Sequence, residues 1–148
     1  MIDISKTKLE VIPDYAFYES DNLHELQTPV TLRKVGAYAF YGCNNLNEVK
    51  FLGKTLEEIG TGAFKTCNNL HIVDIPEGVT AIADGTFDGC QNLNTIKLPD
   101  SLKTIGDNAF KDCRISHRHP EALLLQISGC TGSLMYLCHS DLLRQSCS

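Results

Sequence analysis

Hydrophobic positions in this chain return at a long, fixed interval. Phenylalanine stands at Phe17, Phe40, Phe64, Phe87 and Phe110, separated by 23, 24, 23 and 23 residues. The same neighbours surround each one. Eight residues earlier lies an aliphatic position (Leu9, Leu32, Leu56, Val79, Leu102), and five earlier a second (Ile12, Val35, Ile59, Ile82, Ile105). A small residue stands immediately before it (Ala16, Ala39, Ala63, Thr86, Ala109). Three residues after it come Ser20, Cys43, Cys67, Cys90 and Cys113, and six after it Leu23, Leu46, Leu70 and Leu93. A period of this length marks stacked supersecondary units. One unit cannot bury its own leucines, but neighbours along a stack bury them for each other.

Within each repeat the apolar spacing changes. Leu46-Asn47-Glu48-Val49-Lys50-Phe51, Leu70-His71-Ile72-Val73-Asp74-Ile75 and Leu93-Asn94-Thr95-Ile96-Lys97-Leu98 alternate in their second halves, the signature of a half-buried strand. Pro29, Pro76 and Pro99 close these strands, because proline donates nothing to a ladder. A shorter extended piece carries Leu-x-x-Ile, and Gly36, Gly60 or Gly106 turns the chain after it. The Ala-Phe-x-x-Cys stretch is predicted to form one helical turn. The expected fold is therefore an α/β solenoid of about five coils over residues 1–113, each a short strand plus a short helical turn, with like residues stacked roughly 4.7–4.9 Å apart where strands pair.

The run Leu102-Lys103-Thr104-Ile105-Gly106-Asp107-Asn108-Ala109-Phe110-Lys111-Asp112-Cys113, repeated in Leu56 to Leu70, resembles the leucine-rich repeat of the BspA-like family. The resemblance covers Leu9 to Cys113. It implies a right-handed leucine-rich-repeat solenoid, and a role like that of surface proteins which adhere to host matrix proteins and to other cells.

Composition narrows the partners. A net charge of -5, with no run of Lys or Arg, argues against a nucleic-acid partner. The seven cysteines are an odd number, and those in the repeat recur every 23 or 24 residues, not at the two-to-four spacing of metal ligands. They read as a ladder of small buried hydrophobes. His24 and His71 share a strand position but Asn47 lies between their coils, so no metal site is expected. No phosphate loop, nucleophile elbow or His-Glu-x-x-His occurs, so neither a cofactor nor enzymatic activity is expected.

What remains is the strand face turned away from the ladders, which in solenoids lines the concave binding surface. Three columns are predicted there: His24, Asn47, His71 and Asn94; Glu25, Glu48, Ile72 and Thr95; Gln27, Lys50, Asp74 and Lys97. Polar types there fit a protein ligand, and fit equally a merely solvated surface. The expectation is a non-catalytic protein-interaction module with a host-matrix or cell-surface protein as partner. An intracellular scaffold of the same fold and a truncated fragment without independent function stand as alternatives. Met1 to Ser5 show no secretory n-region, so a cytoplasmic location stays open beside the cell surface that the resemblance implies.

After Cys113 the period stops, giving a second segment, 114–148. The leucine due at position 116 is Ser116. Three readings compete for this tail: a helix over residues 120–127 that caps the last coil, a membrane segment over Ala122 to Cys138, and out-of-frame sequence. The second is short of about 18 residues and broken by polar and glycine positions, so membrane insertion is not expected.

Overall fold

The computed structural model describes residues 2–115. They form ten short strands: β1 (Ile2–Asp3), β2 (Val11–Ile12), β3 (Glu25–Thr28), β4 (Lys34–Val35), β5 (Glu48–Phe51), β6 (Glu58–Ile59), β7 (Ile72–Asp74), β8 (Ala81–Ile82), β9 (Thr95–Lys97) and β10 (Thr104–Ile105). The odd-numbered strands build one parallel sheet in the order β1-β3-β5-β7-β9. The even-numbered ones make two smaller parallel sheets, β2-β4-β6 and β8-β10. Strands joined by a coil are thus neighbours in space, as a stack of about five coils requires.

The predicted ladders are the core. Leu23, Leu46, Leu70 and Leu93 are buried, as are Leu32, Leu56, Val79 and Leu102. Phe17, Phe40, Phe64, Phe87 and Phe110 stack with centroids 5.1, 5.0, 5.5 and 5.5 Å apart and rings within 5° of parallel. The cysteine ladder does more than fill space. Each thiol donates to the carbonyl of the phenylalanine one coil back: Cys43 to Phe17, Cys67 to Phe40 and Cys90 to Phe64 at 3.0 Å, and Cys113 to Phe87 at 3.1 Å.

One prediction is overturned: among the described residues there is no helix. The third side of each coil is a ribbon of consecutive turns. In the first coil Ala16, Tyr18 and Ser20 donate three residues back, to Pro13, Tyr15 and Phe17. The alternate residues, Tyr15, Phe17 and Glu19, donate across to Ala37, Ala39 and Tyr41 of the next coil at 2.7–3.0 Å. An α-helix would direct all these N–H groups to its own i−4 carbonyls. The backbone also turns left-handed twice per coil. Two residues before the phenylalanine stand Tyr15, Tyr38, Gly62, Gly85 and Asn108, with φ between 53° and 60°. Two after it stand Glu19, Gly42, Thr66, Gly89 and Asp112, with φ between 51° and 76°. A right-handed helix has no place for such residues, so the solenoid is all-β and not α/β.

The glycines after the even strands have a steric task. A Cβ on Gly60 would lie 2.7 Å from the Ala37 nitrogen, and one on Gly106 2.6 Å from the Asp84 nitrogen. A Cβ on Gly36 would strike the Asp14 backbone. Each of these glycines donates to the coil before it, at 2.9 Å to Val35, 2.7 Å to Ile82 and 2.8 Å to Ile12 respectively. In the fourth coil the same position is Ala83, and there the small sheet breaks, between β6 and β8. There a methyl group stands where the second, third and fifth coils have glycine.

The 24-residue step also has a location. Between strands the second, fourth and fifth coils read Thr28-Pro29-Val30-Thr31-Leu32 or its like, whereas Phe51-Leu52-Gly53-Lys54-Thr55-Leu56, like Ile4 to Leu9 in the first coil, has one residue more and no proline. Gly53 lets the longer connection press on the Val30 carbonyl. The Thr55 hydroxyl bonds that carbonyl and the Leu32 carbonyl, both at 2.8 Å.

Candidate functional site

The five-stranded sheet presents alternating residues inward and outward. Leu26, Val49, Val73 and Ile96 stand in register and are buried. The residues on either side of them face solvent. Glu25, Glu48, Ile72 and Thr95 are partners across four strands, all exposed except the half-buried Glu48. Gln27 pairs with Lys50, and Asp74 with Lys97; all are exposed except half-buried Gln27. His24, Asn47, His71 and Asn94, all exposed, lead into the strands. Their backbones are chained by N–H to carbonyl bonds of 2.7, 3.1 and 3.2 Å. The twelve predicted residues therefore lie on one surface, about 19 Å across at five strands.

Sequence reasoning missed a fifth row. β1 pairs with β3 so that Asp3 lies opposite Gln27 and extends the third column. The signal was present: Ile2 and Ile4 repeat the alternation of Leu26 and Thr28, 24 residues upstream. Asp3 is held below the ordinary carboxylate range by the side chain and backbone N–H of Ser5, the latter 2.9 Å from Oδ1.

The face is mixed in charge. Glu25 and Glu48 are directly opposed, an arrangement that destabilises pairing. Lys50 Nζ lies 3.1 Å from Glu48 Oε2, and Lys97 Nζ 3.7 Å from Asp74 Oδ2. Exposed pairs of this kind contribute about 0–1 kcal/mol each. Between Glu48 and Thr95 stands Ile72, 48% exposed.

Among the described residues no three His, Cys, Asp or Glu side chains gather to hold a metal. His71 Nδ1 lies 3.4 Å from the Asn92 carbonyl. Among the described residues Cys43, Cys67, Cys90 and Cys113 are free, the first three buried and the last half-buried. Burial pushes the Cys43 thiol up to about 11, and raises Cys90 and Cys113 above their ordinary value. His117, His119, Cys130, Cys138 and His139 lie outside the described residues, as do the cap, membrane and frame readings of the tail.

Comparison with known proteins agrees with this geometry. The family described as "BspA type Leucine rich repeat region" matches residues 4–129 in six copies, running past the boundary read at Cys113. A leucine rich cell surface protein of Faecalibacterium prausnitzii is 28% identical over 73% of this chain and 42% of that one, with a TM-score of 0.50. A leucine rich repeat protein of T. pallidum is 24% identical over 80% of this chain and 76% of that one, with a TM-score of 0.47. The chain thus spans less than half of the Faecalibacterium protein. No curated protein matches it. With the phenylalanine, leucine and cysteine ladders in place, and the family pattern running through nearly all of the described residues, the chain belongs to the BspA-type leucine-rich repeat family.

Proposed function

We propose that this chain is a non-catalytic protein-interaction module that binds through the outer face of its five-stranded sheet, in the manner of a cell-surface adhesin. The observation that carries this reading is the continuous outward surface of His24, Glu25, Gln27, Asn47, Glu48, Lys50, His71, Ile72, Asp74, Asn94, Thr95 and Lys97, with exposed Ile72 at its centre. Support for the cell surface comes from the likeness to the Faecalibacterium cell surface protein. A host-matrix or cell-surface protein is the partner class this implies. Rigid parallel strands hold the side chains in fixed register, so binding orders little backbone and wastes little affinity on entropy.

The test is solid-phase binding of the purified chain to immobilised matrix proteins (collagen, fibronectin and laminin), comparing the parent with Ile72→Arg and with a control, Lys103→Ala, just before β10 of the small sheet. Retention on at least one of them, weakened about tenfold or more by Ile72→Arg and unchanged by Lys103→Ala, is the expected result. Equal retention of all three proteins removes the sheet face from the account.

A further inference from the structure

The turn ribbon carries a second surface that the sheet does not explain. In the first two coils, and in no later one, tyrosines flank the ladder phenylalanine: Tyr15 and Tyr38 two residues before it, Tyr18 and Tyr41 one after. Coils three to five place Gly62, Gly85 and Asn108 in the first column, and Lys65, Asp88 and Lys111 in the second. The four rings form two short stacks. Tyr15 lies on Tyr38 with centroids 5.5 Å apart and 13° between planes, and Tyr18 on Tyr41 at 4.8 Å and 8°. Across the stacks Tyr15 meets Tyr18 at 5.8 Å and 51°, and Tyr38 meets Tyr41 at 6.1 Å and 63°. Tyr15 is 57% and Tyr18 44% exposed.

Two features separate this cluster from incidental surface aromatics. Tyr15 and Tyr38 hold φ of 58° and 53°, a left-handed conformation unfavourable for a bulky side chain. The later coils satisfy the same backbone with glycine or asparagine, the residues that adopt it most readily. Strained backbone of this kind clusters at functional sites, although Glu19, Thr66 and Asp112 hold it elsewhere in the ribbon. The first coil is also acidic beside these rings. Asp14 and Glu19, both exposed, stand next to Tyr15 and Tyr18 in the chain, and no Lys or Arg occurs between Leu9 and Leu32. Lys65, on the next rung after Tyr41, is held by Asp88 at 2.9 Å. The Tyr18 phenol is raised above its ordinary pKa by desolvation, with Glu19, Tyr41 and Tyr15 adding to it.

We propose that the notch between Tyr15 and Tyr18, backed by Tyr38 and Tyr41, docks an arginine or lysine of an extended basic segment in a protein partner. Ring faces attract a cation within about 6 Å of the centroid, and Glu19 with its acidic neighbours supplies the complementary charge. A sugar would favour a flat platform, whereas these two rings are tilted by 51°. The site lies on a different side of the coil from the sheet face and stands or falls without it.

The experiment is fluorescence anisotropy of the full chain with a labelled nonapeptide carrying three arginines, against the same peptide with citrulline in their place. The arginine peptide binds saturably and the citrulline peptide does not. Tyr15→Asn combined with Tyr18→Asn weakens binding roughly tenfold, with a melt close to the parent's, because Asn108 already occupies the Tyr15 conformation and polar Lys65, Asp88 and Lys111 stand in the Tyr18 column. Glu19→Gln, which leaves every ring in place, weakens it about threefold, and added salt weakens it further. Equal binding of the two peptides, or a double variant as tight as the parent, overturns the proposal. So does tyrosine-dependent binding of chitotriose without binding of the arginine peptide. Should the double variant melt early, Glu19→Gln decides, and an unchanged affinity there overturns the site.

Discussion

Phe64 lies between Phe40 and Phe87, with ring centroids 5.0 and 5.5 Å away, and is wholly buried. Removing its ring leaves a gap between two coils that the neighbouring rings, fixed by their own coils, cannot close. Phe64→Ala is expected to cost about 3–5 kcal/mol, read from a denaturant or thermal melt. The cysteines make a pH prediction. Burial raises Cys43 from 9.0 to about 11, so the folded chain holds that proton more tightly than the unfolded one. The stability it contributes is complete below pH about 9 and is lost as pH rises to about 11. Alkylation followed by peptide mass mapping should find Cys43 slow at pH 8 and fast only near pH 11 or after unfolding; rapid native labelling at pH 8 would contradict the thiol's place in the ladder. The six columns were legible in the sequence because each is buried and so chemically restricted. The thiol-to-carbonyl bonds were not, because smallness alone explains cysteine at that position. The four tyrosines were overlooked because they break the column pattern, although their double recurrence was there to be read.

At the scale of the element, strands were legible and the turn ribbon was not. Ala-Phe-x-x-Cys has a spacing of three, which suits one helical turn as well as it suits repeated turns. What decides is the neighbouring coil, which takes every second N–H, and no local pattern reports that. The left-handed columns are written as glycine at Gly62, Gly85, Gly42 and Gly89, but Tyr15, Tyr38, Glu19 and Thr66 conceal them elsewhere. Far-ultraviolet circular dichroism of residues 1–115 should show a β-type spectrum without the double minimum of helix; a helical spectrum would refute the ribbon. The glycine column makes a paired prediction. Gly60→Ala places a methyl group against the Ala37 nitrogen and should lower stability by about 1–3 kcal/mol. Ala83→Gly should let β8 pair with β6. Its melt should move by less than about 1 kcal/mol, since new hydrogen bonds offset the added chain entropy of glycine. Hydrogen exchange should nevertheless slow at residues 81–83, and exchange as fast as in the parent would show that the methyl group is not what parts the sheet.

For the whole molecule, stacking converts a weak local pattern into a rigid surface. Each strand is two to four residues long, too short to hold a conformation alone, yet in register the five odd-numbered strands make one continuous face. The outward columns were legible because alternation in a parallel strand leaves no other place for Glu25, Asp74 or Lys97. The exposed Ile72 was legible too, as an apolar residue at an outward position. The fifth row, from Asp3, was legible only in the alternation of Ile2 and Ile4, since it precedes the first phenylalanine and has no complete repeat to announce it. The central claim is that this face receives the matrix or cell-surface partner. Hydrogen–deuterium exchange of the chain, free and saturated with a matrix protein that retains it, tests this directly. The account predicts slowed exchange in peptides covering residues 24–27, 47–50, 71–74 and 94–97. Slowing confined to other segments, or none at all, would contradict it.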